Sequence, residues 1–311
     1  MLTFSITRAL ARAQDLLLPL VDVIDQRVHD AHVPAWCERR GWSDFLLGLS
    51  DAELMRCEAE GLAITLPTLS AAPASLLELV RQLREVSALP VLEAHALQPS
   101  NEDFRGVTWR KQKQLAALLG ALAPLVGPAR RIVDVGAGSG HFARLSAQHF
   151  GRATLGLERD PARVQSATRR AHAARSENQL ASARFELLDA SSQTLLLEPG
   201  DLAIGLHACG ELGDTLVRAV AESGADLALV SCCLQKIKAP ERAPLSSAAN
   251  GFALKKDTLG LSNLTSQAVG VESSIEATIR ARQVRYALRL LLRARGLQIA
   301  PGGEMQGVNR R

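Results

Sequence analysis

Long hydrophobic runs are missing from this sequence of 311 residues. A membrane-spanning helix needs about 18 or more apolar residues without charges, and no stretch of the chain meets that requirement. Apolar residues are frequent in positions 1–20, but Arg8, Arg12 and Asp15 interrupt them at helical spacing and no small-residue cleavage site follows. The sequence therefore predicts an amphipathic N-terminal helix, and neither a membrane span nor a signal peptide.

The cysteine pattern of a disulfide-stabilised protein is also missing. The five cysteines are an odd number in a long chain, and two of them are adjacent, so they do not form a disulfide framework. Chains without disulfides are typical of reducing compartments. We therefore expect a cytoplasmic protein.

A strong excess of one charge is absent as well. The formal net charge is +4 and the isoelectric point is about 9.0, a balance that permits contact with nucleic acid without requiring it. The arginines are nevertheless clustered, in residues 159–175 and again in residues 280–295. A solvated helix face and a phosphate-binding face are both compatible with either cluster.

What the chain does have is enough apolar residues for two domains, at 47% hydrophobic content and a length above the usual limit for a single core. The first third has helical periodicity with capping-box patterns at Ser50–Glu53 and Ser75–Glu78. Residues 97–106, which contain proline and several polar residues, make the best linker. We predict an all-helical domain over residues 1–104 and a second domain over residues 105–311.

The second domain alternates strands with helices. Its predicted strands are Arg131–Val135, Thr154–Glu158, Arg184–Leu188, Leu202–Leu206, Leu227–Ser231 and a weaker Leu297–Ala300. Such alternation predicts an α/β fold with a doubly wound, Rossmann-like parallel sheet. Residues 239–270 are polar and irregular, and we predict a long loop or lid there.

A glycine-rich turn follows the first predicted strand, since residues 132–142 read IVDVGAGSGHF. Glycine permits positive φ and a close approach of ligand to backbone, and the helix that follows offers free N–H groups. Tight packing between strand and helix is the alternative meaning of such a turn. We predict a binding site for a nucleotide-like cofactor at Gly136, Ala137, Gly138, Gly140 and His141.

The spacing of this turn selects the cofactor. A dinucleotide-binding Gly-x-Gly-x-x-Gly turn would place its third glycine at His141, and here an acidic residue, Asp134, ends the strand. This pattern favours S-adenosylmethionine over NAD. Asp134 would hold the amino group of the methionine moiety, and the N–H groups of the turn would meet its carboxylate.

Two further carboxylates end predicted strands. Glu158 ends the second strand, where a carboxylate can accept hydrogen bonds from the two hydroxyls of a ribose. Asp189 closes the third strand, where an adenine amino group would need an acceptor. A surface turn carboxylate is the alternative for Asp189. Asp160 is predicted to cap the helix that begins at Pro161.

A histidine and three cysteines follow the fourth and fifth strands, namely His207, Cys209, Cys232 and Cys233. Ligands of a doubly wound sheet bind outside the carboxyl ends of its strands, so these side chains should converge beside the transferable methyl group. Three interpretations of these residues are open. The cysteines could fill space in the core, or the cluster could bind zinc. The cluster could also be catalytic, with His207 as general base or a cysteine as nucleophile. Adjacent cysteines rarely ligate one tetrahedral ion, so we predict no metal and assign all four residues as catalytic candidates.

Four segments, in this order and spacing, resemble the methyltransferase-like protein 25 family. These segments are Gly106–Gln114, Asp134–Phe142, Gly205–Leu212 and Ser231–Cys233. The His-x-Cys-Gly and double-cysteine motifs are also similar to those of tRNA 2′-O-methyltransferases that modify the acceptor stem. The resemblance covers residues 105–295 well and the helical part only loosely, through residues 40–46.

The resemblance implies a methyltransferase fold with S-adenosylmethionine, and cofactor-binding roles for Asp134, Gly136, Gly138 and Glu158. It does not identify a substrate. Relatives usually read Lys-Lys-x-His-Glu where this chain has Arg110–Gln114, so the family's histidine is missing here. Relatives also continue beyond the equivalent of Arg311, so we expect the last strands of the sheet to be incomplete.

The reaction and the substrate stay open. The Asn/Asp-Pro-Pro-aromatic signature of adenine-N6 methylation is absent, which leaves O-methylation by alignment of the reactants, or C5 methylation of a pyrimidine through a cysteine. We expect RNA, either tRNA or rRNA, to bind arginines 282, 285, 289 and 293 of a long helix whose apolar face packs on the sheet. A protein substrate and a scaffold with a degenerate site are the alternatives, and no oligomeric state is predicted.

Overall fold

The computed structural model describes residues 5–25, 32–88, 90, 100, 104–173, 183–190, 194–249, 253–260 and 275–297. The chain divides into two compact units. The first, which we call the helical unit, comprises residues 1–90 and 270–311. The second, the sheet unit, comprises residues 91–269.

The helical unit contains short amphipathic helices. They are α1 (Ile6–Leu17), α2 (Val21–Ile24), α3 (Ala35–Arg39), α4 (Ser43–Leu47), α5 (Asp51–Glu60), α6 (Leu62–Thr65), α7 (Ala74–Ser87) and α13 (Ile275–Ala294). A small core of Cys37, Trp42, Leu66, Leu76 and Val80 holds part of this unit together. The apolar residues spaced along these helices therefore supply a core of their own, as the sequence predicts.

The two predicted capping boxes have different outcomes. The box at Ser50 is confirmed, because its hydroxyl accepts from the Glu53 N–H and the Glu53 carboxylate accepts from the Ser50 N–H. The box at Ser75 is wrong, because α7 begins at Ala74 and Ser75 is therefore inside the helix and not its N-cap. The Ser75 hydroxyl instead accepts a hydrogen bond from Trp42 Nε1 at 2.9 Å, so tertiary packing uses the group that local sequence assigned to a cap.

Helix α13 packs within the helical unit. It contacts α5, and Arg282 Nη1 lies 2.6 Å from Glu58 Oε1 of that helix. Leu291, an apolar residue of α13, is 52% exposed. The expectation that the apolar face of this helix packs on the sheet stays a prediction. The two compact units also differ from the predicted domain boundaries, because α13 groups with residues 1–90.

The sheet unit is built on five parallel strands in the order β3-β2-β1-β4-β5. The strands are β1 (Arg131–Val135), β2 (Thr154–Glu158), β3 (Ala183–Leu187), β4 (Asp201–Leu206) and β5 (Asp226–Val230). The connecting helices are α8 (Trp109–Val126), α9 (His141–Phe150), α10 (Pro161–Ala173) and α11 (Glu211–Ser223). The doubly wound, Rossmann-like α/β fold is confirmed, and so is the N-terminal helical region.

Both faces of the sheet are covered, because side chains alternate between them along each strand. Ile132 packs with α8 and α9 on one face, and Val133 and Val135 pack with Leu216 of α11 on the other. The same alternation puts Asp134 on the face covered by α8 and α9. The strand order reverses between β1 and β4, so a crevice opens at their carboxyl ends.

The region predicted as a long loop or lid contains short regular elements. These are the antiparallel pair β6 (Glu241–Arg242) and β7 (Leu254–Lys255), followed by α12 (Lys256–Leu259). The predicted strand Leu297–Ala300 lies outside the described residues beyond its first residue. Within the described part of the chain, no helix has the length and apolar character that crossing a membrane requires.

Candidate active site

The glycine turn after β1 has two kinds of glycine. Gly136, Gly138 and Gly140 all have positive φ, of 76°, 57° and 73°. A Cβ on Gly140 would lie 2.6 Å from the Phe185 ring, whereas a Cβ on Gly138 would have no neighbour closer than 4.0 Å. Packing between α9 and β3 therefore requires Gly140, and Gly138 borders open space where a ligand can approach the backbone.

The N–H groups of this turn are mostly used inside the protein. Gly136 and Ala137 donate to the Leu157 carbonyl at 2.8 and 3.0 Å, and Gly140 donates to the Ala137 carbonyl at 2.9 Å. Gly138 donates to Glu158 Oε2 at 2.7 Å. These four N–H groups therefore have partners inside the protein, and the expectation that the turn meets the cofactor carboxylate stays a prediction. The first-turn N–H groups of α9, beginning at His141, are the alternative donors for an anion.

Asp134 is a buried carboxylate with an unused oxygen. It is 2% exposed, and its Oδ2 accepts no hydrogen bond from any described residue. The pKa of Asp134 is raised to about 7, mainly by burial and also by the negative charge of Glu158. The charge of Lys111 and a backbone hydrogen bond from Ala143 oppose this rise. Buried polar atoms almost always have partners, so this oxygen marks a place where a cationic or N–H-bearing ligand fits.

Glu158 is also buried, but both of its oxygens are oriented by backbone groups. Oε2 accepts from Gly138, as described above, and Oε1 accepts from the Asp160 N–H at 3.1 Å. Each carboxylate oxygen can accept a second hydrogen bond, which leaves capacity for a diol. The predicted cap is confirmed as well, because Asp160 Oδ1 accepts from the Ala162 N–H at 2.9 Å.

Asp189 and His141 lie at the same edge of the sheet. Asp189 is half-buried and follows β3, whose end is joined to β2 by a hydrogen bond from the Leu188 N–H to the Glu158 carbonyl at 2.9 Å. His141 is the half-buried first residue of α9. Burial lowers the pKa of His141, and so do the charges of Arg170, Arg144 and Lys111. The predicted cofactor residues thus lie in the last two positions of β1 or β2, or follow β1 or β3 at the carboxyl end.

The histidine and the three cysteines converge beyond β4 and β5. Cys209 Sγ lies 3.0 Å from Cys232 Sγ, and Cys232 Sγ lies 3.6 Å from Cys233 Sγ. His207 Nδ1 lies 3.3 Å from Cys232 Sγ. Burial and hydrogen bonds with the neighbouring sulfurs raise the pKa of Cys232 above its ordinary value. Burial also disfavours ionisation of Cys209, but hydrogen bonds that its sulfur accepts hold its pKa below the ordinary value.

The backbone beneath this cluster is tightly constrained. His207 has a positive φ of 65°, and its N–H donates to the Val230 carbonyl at 2.9 Å. Gly210 adopts φ 60° and ψ −128°, and a Cβ there would lie 1.9 Å from the Lys236 carbonyl oxygen. Lys238 N–H also donates to Glu211 Oε1 at 2.6 Å. Hydrogen bonds and close packing therefore hold the turn after β4 against the segment that follows β5.

Two residues of α8, Lys111 and Gln114, join the site without having been assigned to it from the sequence. Gln114 Oε1 lies 3.3 Å from His207 Nε2. Burial lowers the pKa of Lys111, and its charge acts on Asp134. Burial also lowers the pKa of His207, as do the nearby charges of Lys111, Arg110 and Lys236. The resemblance at Arg110–Gln114 was the signal that could have identified them.

Residues 110–240 match the family model of a methyltransferase domain. The matched segment runs from the first turn of α8 past β5, so it contains the glycine turn, Lys111, Gln114 and the His/Cys cluster. Together with the strand order, this match indicates a methyltransferase domain over residues 110–240. Membership of the narrower methyltransferase-like protein 25 family stays a prediction.

No curated protein matches the chain. Among solved structures, it is similar to magnesium protoporphyrin IX methyltransferase from Synechocystis PCC 6803 with bound SAH, at 20% identity over 43% of this chain and 60% of that one, with a TM-score of 0.32. It is similar to an S-adenosylmethionine-dependent methyltransferase from Thiobacillus denitrificans in complex with S-adenosyl-L-homocysteine, at 21% identity over 43% and 56% of the two chains, with a TM-score of 0.33.

A third similar structure is the tRNA (uracil-54, C5)-methyltransferase of Pyrococcus abyssi in complex with S-adenosyl-L-homocysteine. It is 22% identical over 39% of this chain and 29% of that one, with a TM-score of 0.31. The chain thus spans about 60% of the length of the porphyrin methyltransferase and less of the other two. At TM-scores this low the assignment of the fold comes from the strand order described above.

Proposed function

We propose that this protein transfers a methyl group from S-adenosylmethionine to RNA. The assignment of the cofactor rests on one observation. Oδ2 of buried Asp134 has no hydrogen-bond partner among the described residues and lies beside the open glycine turn. An ammonium group at this point would supply the missing donor and would favour the ionised carboxylate, since an opposite charge lowers a pKa. The methyltransferase-domain match over the same residues supports it independently.

Named residues would hold the remaining parts of the cofactor. Glu158 has acceptor capacity for the ribose hydroxyls, and Asp189 stays the predicted acceptor for the adenine amino group. The start of α9 at His141 would meet the carboxylate. S-adenosylmethionine, when bound, supplies an electrophilic methyl group on a positively charged sulfur.

The assignment of RNA as the substrate rests on the exposed first turn of α8. Trp109 is 57% exposed, and Lys113 Nζ lies 3.8 Å from the centre of its ring. Arg110 beside them and Lys236 near His207 are exposed as well. Exposed aromatic rings with neighbouring cations stack on bases and bind phosphates of single-stranded nucleic acid, so this surface suits RNA.

Helix α13 contributes less to this proposal than the sequence predicts. Arg282 is paired with Glu58 of α5, and exposed ion pairs of this kind are common on helix surfaces. The basic residues of α8 lie in the same compact unit as the glycine turn and the sheet. We therefore assign the first contact with RNA to α8.

O-methylation is the reaction that we propose. Cys209 is 8% exposed and its sulfur faces Cys232, so it has no free approach to a pyrimidine ring. Cys232 is exposed, but partial burial and hydrogen bonds with Cys209 and Cys233 raise its pKa, which disfavours the thiolate that such an attack needs. An O-methyltransferase acts mainly by aligning the acceptor hydroxyl with the methyl donor. His207, exposed at the end of β4, stays the predicted general base for this reaction. Because alignment is the main contribution, the reaction does not depend on His207 acting as a base. The resemblance to tRNA 2′-O-methyltransferases agrees with this choice.

The test is transfer of tritiated methyl groups from S-adenosylmethionine into total RNA and, separately, into total protein. We expect nuclease-sensitive label with the full chain and a loss of at least about tenfold with Asp134→Asn, the scale of a lost charged hydrogen bond. Trp109→Ala combined with Lys113→Ala should lower RNA affinity and keep cofactor affinity, measured by calorimetry.

Three outcomes would contradict parts of this proposal. Label found only in protease-sensitive material would move the substrate to protein. Cofactor binding without turnover on any substrate would indicate a binding protein with a degenerate site. Preferential binding of NAD would overturn the cofactor assignment itself. The cytoplasmic location stays a prediction that fractionation can test.

A further inference from the structure

The cluster formed by His207, Cys209, Cys232 and Cys233 has the donor set of a soft-metal site. Its three sulfur atoms lie within 4.8 Å of one another, and the imidazole Nδ1 lies 3.3 Å from the central sulfur, that of Cys232. Thiolate and imidazole are the ligands that zinc takes in closed, four-coordinate sites. The elements that carry them, β4 and β5, are neighbours in the sheet.

The three distances that involve Cys232 Sγ can be compared with the edges of a zinc tetrahedron. Bond lengths of about 2.3 Å to sulfur and about 2.0 Å to nitrogen give edges of roughly 3.8 Å between sulfurs and roughly 3.5 Å between nitrogen and sulfur. The observed separations are 3.6 Å for Cys232 and Cys233, 3.3 Å for His207 and Cys232, and 3.0 Å for Cys209 and Cys232. The Cys209–Cys232 separation must open by roughly 0.8 Å, and the His207 ring, whose donor atom is not within 4.8 Å of all three sulfurs, must move toward the ion to complete the tetrahedron.

The adjacency of Cys232 and Cys233 does not prevent joint ligation here. Neighbouring residues of a strand point to opposite faces, but β5 ends at Val230, before either cysteine. The chain turns after the strand, and the two sulfurs come within 3.6 Å of each other. Two adjacent cysteines on a turn can therefore ligate the same ion, although the sequence predicts no metal here.

The hydrogen bonds around the cluster are those of a ligand shell. Gln114 Oε1 can only accept from a ring nitrogen, so His207 Nε2 carries the proton and the lone pair of Nδ1 faces the sulfurs. A ligating histidine almost always donates its second ring N–H in this way. The Cys232 N–H also donates to Cys209 Sγ, at 3.2 Å.

We propose that Cys209, Cys232, Cys233 and His207 bind one zinc ion in a tetrahedral three-cysteine, one-histidine site. Four protein ligands close the coordination sphere, so the ion is structural: it joins the turn after β4 to the segment after β5. Lys236 provides a nearby positive charge for a site whose three thiolates outweigh the ion by one negative charge. In this site His207 is a ligand, and the proposed O-methylation then relies on alignment of the two reactants.

The first experiment measures metal in the full chain purified without chelator and supplied with zinc chloride. We expect close to one zinc per chain by mass spectrometry, and a content at least about tenfold lower in Cys232→Ser. Cys57→Ser is the matched control, since Cys57 lies on α5 in the helical unit, and should keep full zinc. Equal zinc in Cys232→Ser and the control overturns the site.

The second experiment uses the parent chain for its main result, which therefore does not depend on how a variant folds. The chain is stripped of zinc and loaded with cobalt, and a tetrahedral thiolate site then shows intense visible bands with a thiolate charge-transfer band. His207→Ala should shift the visible bands and keep the charge-transfer band. An octahedral spectrum, or a mass two daltons low that reveals a disulfide in place of metal, overturns the proposal. Neither readout involves methyl transfer, so the outcome is separate from that of the proposed activity.

Discussion

The carboxyl edge of the sheet has two halves that differ in how their polar groups are satisfied. At the half formed by β1 and β2, the cofactor half, buried Asp134 has an oxygen without a partner among the described residues, and Gly138 borders open space. At the half formed by β4 and β5, the metal half, the donor atoms lie against one another. An unpartnered group beside open space suits a ligand that comes and goes, whereas a closed set of donors suits one that stays with the fold.

The largest effect that separates the halves should come from Gly210→Ala in the metal half. Its Cβ would lie 1.9 Å from the Lys236 carbonyl oxygen, in a backbone conformation reserved for glycine. We expect a loss of more than about 3 kcal/mol in the free energy of unfolding, measured with denaturant. Gly151→Ala, with φ 60° and nothing within 4 Å of its Cβ, is the control and should lose only about 1 kcal/mol. Similar losses in both variants would show that the turn after β4 can relax.

The next effect should come from Asp134→Asn in the cofactor half, where function and stability are expected to change in opposite directions. Loss of the charged hydrogen bond should weaken S-adenosylmethionine binding by about 10- to 100-fold in calorimetry. Without cofactor, the variant should be more stable than the parent chain at pH 8. Equal cofactor affinity in the two proteins would contradict the role of Asp134.

The sign of that stability change follows from the raised pKa of Asp134. An unfolded aspartate titrates near 4, and the folded carboxyl titrates at about 7. The unfolded chain therefore ionises first, so Asp134 lowers stability progressively as pH rises between these values, and the penalty is complete above pH 7. The stability advantage of Asp134→Asn should vanish near pH 4, as thermal unfolding at several pH values would show.

Cofactor affinity should depend on pH through the same group. Below pH 7 the proton on Asp134 competes with the ammonium, so affinity should fall toward tenfold per pH unit. Lys111 from α8 and Glu158 from β2 act on this carboxyl in opposite directions. The measurement is isothermal titration from pH 8 to pH 6, with Asp134→Asn as the reference. If the cofactor affinity of the parent chain changes as little across this pH range as that of the variant, Asp134 does not bind the ammonium group.

The smallest effect should distinguish the two kinds of glycine in the cofactor half. Gly138→Ala meets only the cost of a left-handed alanine, about 1 kcal/mol, but puts a methyl group into the open space, so cofactor affinity should fall several-fold. Gly140→Ala meets the Phe185 ring and should lose more stability than affinity. Denaturant unfolding and calorimetry on both variants measure the two quantities, and an unchanged affinity in Gly138→Ala would place the ligand elsewhere.

Local sequence was sufficient for much of the fold. Strands β1 and β2 begin and end where the sequence predicts, and β3, β4 and β5 differ by no more than one residue at either end. The glycine turn and the carboxylates Asp134 and Glu158 were also identified in advance. These features depend on neighbouring residues, because alternation, turn conformation and strand ends are properties of a few consecutive positions.

Tertiary structure alone decided which distant groups meet. Gln114 precedes His207 by 93 residues in the chain, yet their side chains lie 3.3 Å apart, and no spacing rule in the sequence predicts that contact. The same holds for the bond between Trp42 and Ser75, and for the missing partner of Asp134. The sequence by itself determined which residues end at the carboxyl edge of the sheet, and packing determined which of their polar atoms are satisfied, because hydrogen bonds act over a few ångströms in space whatever the separation along the chain.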